Sequence, residues 1–421
     1  MSASCLASIA SQCSPSNSMM PPGMPTHFPE DRSKPLQGIK VIEIGQVLAG
    51  PFAGMILSDL GADVLKVERV DGGDDTRRMG QPFHDGDALN FHSFNRGKRS
   101  VAINLKTQAG LEWLDGACRD ADILIHNLRP GVASALRITG QDLCSKHPRL
   151  IYCEISAFGH VGPLRNRPGY EPLVQAFSGL SSINGAPDSS PTRIGASVCD
   201  QGTGMWVAIG ALALLEERRR TGLGGILNAS LLETAMLWAG QKVDAYVNKG
   251  ELPVRHASGH PDMAPYEAFD ASDGPLIICA GNDRLFGKLA TALGHPEWVD
   301  DPLYKTNRRR VDHRDALFAT ISKLLAEKPR DHWLDVLESA GVPCAPIHSI
   351  PEAVSHRHIE ELEIVQTVPG HDFRLVALPL AFNGKRPQIA GAGPRFDAET
   401  CDPAGFDAWS RHAYEGGREN G

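Results

Sequence analysis

The sequence predicts an α/β protein, with a parallel sheet covered by helices on both faces and a smaller α+β domain attached. From about Gly38, strand-length alternating segments take turns with segments of helical spacing. A glycine- and proline-punctuated stretch, HASGHPDMAPY, separates that run from a shorter hairpin-and-helix series. The 421 residues, 42% of them hydrophobic, suffice for two domains and a sizeable core.

Residues 1–37 are rich in Ser, Pro and Met, with no Lys or Arg before Arg32. A secretory signal needs a basic start and a mitochondrial presequence needs scattered arginines, so a disordered tail is expected. Strands follow at 39–45 (IKVIEIG) and 63–69 (DVLKVER), with a helix at 52–62 between them. Next come a strand at 100–105, a helix at 108–121, and strands at 123–128 and 150–156. One helix is expected from Asp200 to about Arg220, closed by Gly222, and a second from about Ser230 to Asn248. Residues 266–342 read as the smaller domain: a hairpin turning at DASDG, then helices near 284–293, 312–327 and 331–340. The chain returns over 343–421, where LVALPLAFNG is strand-like.

The formal charge of −8 is mild for this length and argues against nucleic-acid or membrane-surface partners. No apolar run approaches a membrane span. Nine cysteines without a CxxC pair fit reduced thiols and a cytoplasmic location. No metal site is expected, since HRH at 356–358 lacks acidic or cysteine partners at ligand spacing. Asn228 to Ser230 match a glycosylation sequon, which means nothing in the cytoplasm.

The loop GQVLAGP after the first strand invites a dinucleotide reading, with Glu68 as the ribose acid. Its glycine spacing, Gly45 and Gly50 before Pro51, departs from G-x-G-x-x-G. NRGKRS lacks the upstream glycine of a phosphate-binding loop. Arg69, Lys106, Asn127 and Arg129 lie at or just past strand ends, where open α/β sheets bind ligands. They are either phosphate ligands or ordinary solvated charges.

In VCDQGTGMW, Asp200 precedes Gly202, Gly204 and an apolar helix. It is either a helix cap or an exposed nucleophile, with the glycines giving room and the helix N–H groups stabilising negative charge. Metal binding lacks partners. Cys199, with no basic neighbour in sequence, reads as a small core residue.

These stretches resemble the class III (family III, CaiB/BaiF-type) CoA-transferases. The matching segments are GIKVIEIGQVLAGPFAGMILSDLGADVLKVER, NRGKRSVAINLK, ADILIHNLRPGV, RPGYEPLVQAFSGL, GASVCDQGTGMWVAIGALALLE and DPLYKTNRRRVDHRDAL. They run in family order over about three-quarters of the chain, 38–353. The resemblance implies a Rossmann-like, CoA-binding large domain beginning at 38–229, a linker helix and lid loop at 230–265, and an interlocked homodimer, with a heteromer as the alternative. It implies no tightly bound cofactor: CoA thioesters and a small carboxylic acid are substrates.

The resemblance assigns Asp200 as nucleophile, passing through a mixed anhydride and an aspartyl-CoA thioester, and Glu171 as an acid beside the reaction centre. It implies CoA contacts from Val47, Leu48, Ala49, Arg69, Ile103, Asn104, Lys106, Asn127 and Leu128, which favours the phosphate reading of the cations. Gly259 and His260, in the loop from Ser258, correspond to a lid shielding the anhydride from water. Leu48 replaces a glutamine of formyl-CoA transferase, which points away from oxalate and formate. The lid resembles that of members using succinyl-CoA and dicarboxylic acids, where Arg193, His256 or His260 would meet a second carboxylate. Ala135 replaces a phosphate-binding arginine, for which Arg129 compensates, and the C-terminal PQIAGAGPRFDAETCD lacks the family's usual ending.

Three rivals remain. An α-methylacyl-CoA racemase shares the expected fold but needs a His-Asp pair where this chain has Tyr170 and Glu171, and tyrosine is a poor base near neutrality. A nicotinamide oxidoreductase lacks its glycine fingerprint. The third is a CoA-binding protein that lost catalysis or works only with a partner subunit; retention of Asp200 argues against the loss.

Overall fold

The structure, a computed structural model, describes residues 34–396 and 408–409. Most of the expected tail and the end of the C-terminal segment lie outside the described residues.

Six strands form the main sheet: β1 (Lys40–Ile44), β2 (Asp63–Glu68), β3 (Arg99–Ala102), β4 (Ile123–His126), β5 (Ile151–Ser156) and β6 (Gly225–Ser230). Their order is β3-β2-β1-β4-β5-β6, and every pairing is parallel. The central strands are buried on both faces, which is why KVIEI and ILIH read as nearly continuous apolar runs. One face packs on α1 (Ala49–Asp59) and α4 (Val198–Thr221); the other packs on α2 (Gln108–Asp120), through Trp113, Leu114 and Ala117. Helix α3 (Glu171–Phe177) lies between β5 and α4 in sequence.

A separate core around Phe269, Leu276, Ile278, Phe286 and Leu337 forms under a three-stranded antiparallel sheet. Its strands are β7 (Tyr266–Asp270), β8 (Pro275–Cys279) and β9 (Cys344–Pro346), with β8 in the middle.

Several expectations need correction. Strand β6 was not anticipated, because GILNAS alternates between half-buried and exposed positions and carries an asparagine. The long helix expected from Ser230 divides into α5 (Leu231–Trp238) and α6 (Gly240–Lys249) around Ala239. The strand-like LVALPLAFNG contributes only a short strand, Arg374–Val376, paired with Val365–Thr367. Helix α4 is long and apolar enough to cross a membrane by length and composition, contrary to expectation. One side of it, including Val207, Ala208 and Ala211, nevertheless packs within the core beside the main sheet. Its end is as read: Gly222 takes φ +76°, a left-handed cap that glycine adopts without steric cost.

Candidate active site

Strand order reverses between β1 and β4, and in such sheets the crevice at the strands' carboxyl ends is where ligands bind. The loop leaving β1 is held there by the residue leaving β4. The Asn127 amide accepts the Gln46 N–H at 2.8 Å and donates to the Gln46 carbonyl at 2.7 Å. Val47 then turns with φ +64°, an unfavourable conformation for a β-branched residue, and its N–H donates to Asp74 Oδ1 at 3.2 Å. Leu48 caps α1 without a side-chain hydrogen bond.

This loop forms one wall of a cavity of about 590 Å³. Val47, Leu48 and Ala49 line it with Asn127, Leu128 and Arg129; Tyr170, Glu171 and Asp200 line it as well. Arg69, Ile103, Asn104, Lys106, Gly259 and His260 lie outside this wall. Arg69 is occupied by Asp75 at 2.6 Å and by the Gly73 carbonyl, Ile103 is buried, and Asn104 and Lys106 are exposed. Sequence reasoning passed over His160, Arg165 and Arg167, which also line the cavity. The signal was three basic residues within eight positions, in a loop bounded by Gly159 and Gly169.

The structure decides against the cap reading of Asp200. Helix α4 starts at Val198 with Ser197 as its N-cap, leaving Asp200 in the first turn. Its carboxylate makes no hydrogen bond or ion pair among the described residues. Burial, and then the charge of Glu171, push its pKa up to about 7. Glu171 opens α3 and is 3% exposed. Its Oε1 accepts from Gln175 Nε2 at 2.7 Å and from the Cys199 N–H at 3.3 Å, while Oε2 is buried without a hydrogen bond. Burial beside Glu171 and Asp200 raises the Cys199 thiol to about 12, so it is no thiolate at neutral pH.

Gly202 and Gly204 do not serve to clear space around the carboxylate. A Cβ on Gly202 would meet Thr234 and Trp238 at 2.8 Å, and one on Gly204 would meet the Ala49 carbonyl at 2.8 Å. They let α4 press against α5 and α1, which fixes Asp200 relative to the Val47 loop.

The loop expected as a lid is fastened to the helix Arg314–Leu325. Arg314 Nη2 donates to the carbonyls of His260, Pro261 (3.1 Å) and Met263 (3.0 Å). Arg314 Nη1 lies 3.3 Å from His256 Nδ1. Arg193 is exposed and outside the cavity wall. Ala135 lies in the helix Val132–Leu136 and outside the wall, whereas Arg129 lines it without an ion-pair partner among the described residues. No group of three or more His, Cys, Asp or Glu is placed to hold a metal among the described residues.

The chain is similar to known proteins over most of its length. The acetyl-CoA:oxalate CoA-transferase of Acetobacter aceti is 39% identical over 322 residues, covering 76% of this chain and 82% of the relative. The succinyl-CoA:glutarate CoA-transferase of Mus musculus is 36% identical over 329 residues, covering 78% and 76%. The crystal structure of a CAIB/BAIF family protein from Brucella suis superposes with a TM-score of 0.79 at 34% identity, over 87% of this chain and 98% of that one. The profile of CoA-transferase family III matches residues 36–400, from ahead of β1 to beyond the second core. With sequence, fold and profile in agreement over most of its length, the chain is an enzyme that belongs to CoA-transferase family III.

Proposed function

We propose that this enzyme moves CoA from succinyl-CoA to a small dicarboxylic acid through covalent intermediates on Asp200. The observation carrying this reading is the Asp200 carboxylate itself, unbonded beside Glu171 in a cavity shared with the Val47 loop and Arg129. An unbonded carboxylate is free to attack. In the first step an Asp200 oxygen bonds to the thioester carbonyl carbon and the C–S bond breaks, giving a mixed anhydride and CoA thiolate. The thiolate attacks the aspartyl carbonyl, succinate leaves, and Asp200 carries CoA as a thioester. The acceptor carboxylate attacks that carbonyl and expels the thiolate. Attack of the thiolate on the acceptor's acyl carbon then frees Asp200 and yields the new CoA ester.

The two relatives described above carry glutarate and oxalate in their names, both dicarboxylic acids. Arg129, Arg165 and Arg167 line the cavity without ion-pair partners among the described residues, which supports anionic substrates. Leu48 points away from oxalate while one relative carries oxalate in its name, so a series from oxalate to glutarate is the informative acceptor panel.

We also infer a homodimer. Met205, Trp206 and Ile209 on α4, with Leu237 and Trp238 on α5, are exposed large apolar side chains near Asp200 in sequence or packing. Sedimentation velocity reads the assembly directly.

The test of the mechanism is peptide mass spectrometry after mixing enzyme, succinyl-CoA and hydroxylamine. A hydroxamate on Asp200, absent without the CoA ester, is expected. CoA-ester binding with Asp200 unmodified overturns the nucleophile.

A further inference from the structure

Directly behind the Val47 loop lies a closed set of charges. Lys66, Glu43, Lys98 and Asp74 have fully buried side chains. Lys66 Nζ stands 2.9 Å from Glu43 Oε1 and donates to the Gly45 carbonyl at 2.8 Å. Lys98 Nζ stands 2.6 Å from Glu43 Oε2 and donates to the Pro51 carbonyl at 2.8 Å. The two lysines therefore hold the backbone at both ends of the loop. Asp74 Oδ2 lies 2.9 Å from Lys66, an ion-pair contact outside hydrogen-bond alignment. Asp74 Oδ1 accepts from the Thr76 N–H at 3.0 Å, the Thr76 hydroxyl at 2.8 Å and the Val47 N–H at 3.2 Å.

Buried ion pairs are weak evidence for stability, since replacing them by well-packed apolar groups of similar volume is often neutral or stabilising. What apolar groups cannot do is grip particular backbone atoms. Of the contacts made here, three fall on the backbone of residues 45–51, and one meets the residue whose φ is left-handed.

We propose that Asp74, anchored through Lys66, Glu43 and Lys98, is a positioning residue for CoA transfer: it holds Val47 in its left-handed turn and so shapes the wall that the acyl-CoA ester meets. This rests on the reading of the cavity as the acyl-CoA site.

The test is a double-mutant cycle of Asp74→Asn and Val47→Gly, since glycine takes positive φ without help. Asp74→Asn is expected to raise KM for succinyl-CoA about tenfold while kcat stays within about threefold. In the Val47→Gly background the same change is expected to alter KM less than about threefold, because the turn no longer needs its anchor. Equal losses in both backgrounds would mean a general structural role and overturn the proposal, as would an unchanged KM in Asp74→Asn. Should Asp74→Asn not fold, Thr76→Val supplies a milder version, with an expected rise of about threefold that Val47→Gly again suppresses; no rise, or the same rise in both backgrounds, overturns the proposal. Hydroxylamine trapping separates the two levels. No Asp200 hydroxamate in the parent enzyme defeats the functional reading; a hydroxamate in the parent with additive KM effects defeats only the positioning role.

Discussion

The two sides of the 46–49 loop treat charge in opposite ways. Behind it, Glu43, Lys66, Lys98 and Asp74 are fully buried and matched, and Arg77 pairs with both Glu68 and Asp87 at 2.6 Å. In front of it, Asp200, Arg129, Arg165 and Arg167 have no ion-pair partner among the described residues. Matched buried charges fix geometry, whereas unmatched charges around a cavity are open to a ligand. A substitution behind the loop should register as stability or KM, and one in front as chemistry, pH dependence or salt dependence.

The largest expected effect comes from in front. Asp200→Asn should lower kcat by at least about a thousandfold in the CoA-transfer assay, because no nucleophile remains. The same change should help folding. The folded carboxyl has its pKa raised from 3.8 to about 7, so ionising it costs folding free energy, and that cost grows as pH rises between those values. Urea melts should therefore show Asp200→Asn more stable than the parent by about 2 kcal/mol at pH 8, with the gain gone near pH 3. Equal stabilities at pH 8 would break the idea that Asp200 is held against its own charge.

Behind the loop, Gly54→Ala should rank next. A Cβ there falls 2.0 Å from Glu43 Oε2, in a network that has no slack. A loss of about 3 kcal/mol in urea denaturation is expected, with acidic-limb pH dependence unchanged in the protein that remains folded. Glu171→Gln, in front, should shift the acidic limb of kcat/KM from near pH 7 downward by about one unit, since removing the neighbouring charge eases ionisation of Asp200. Smallest is Arg167→Met. It should raise KM for the CoA ester about threefold and flatten its dependence on ionic strength, without changing the melting midpoint.

Five of the six main strands were legible because strand-length alternating segments took turns with segments of helical spacing along the chain. Strand β6 was not, since it lies at the sheet edge, where its positions are only half-buried or exposed until Ser230. Within the site, Asp200, Glu171 and the strand-end segments rested on local pattern and family resemblance; the cavity brings Asp200 and Glu171 together with 47–49 and 127–129, but not with Arg69 or 103–106. The buried network escaped notice although its trace was present. Glu43 in KVIEI and Lys66 in DVLKVE are opposite charges inside apolar strands, and they turn out to be register partners on adjacent strands. What no pattern could supply was Asp74, whose place depends on Glu68 Oε2 accepting its N–H at 2.8 Å after a loop. Arg69 illustrates the converse: its strand-end position left phosphate ligand and solvated charge both open, and no pattern showed that Asp75, six residues on, lies 2.6 Å from it.

The Arg314 clasp on His260, Pro261 and Met263 has a mechanical consequence. A loop tied at three carbonyls to a helix, Arg314–Leu325, cannot swing alone like a flap. Any travel of Gly259 or His260 must carry that helix along, or break the clasp first. Its tempo is then that of a hinge moving a packed mass, in the microsecond-to-millisecond range rather than nanoseconds.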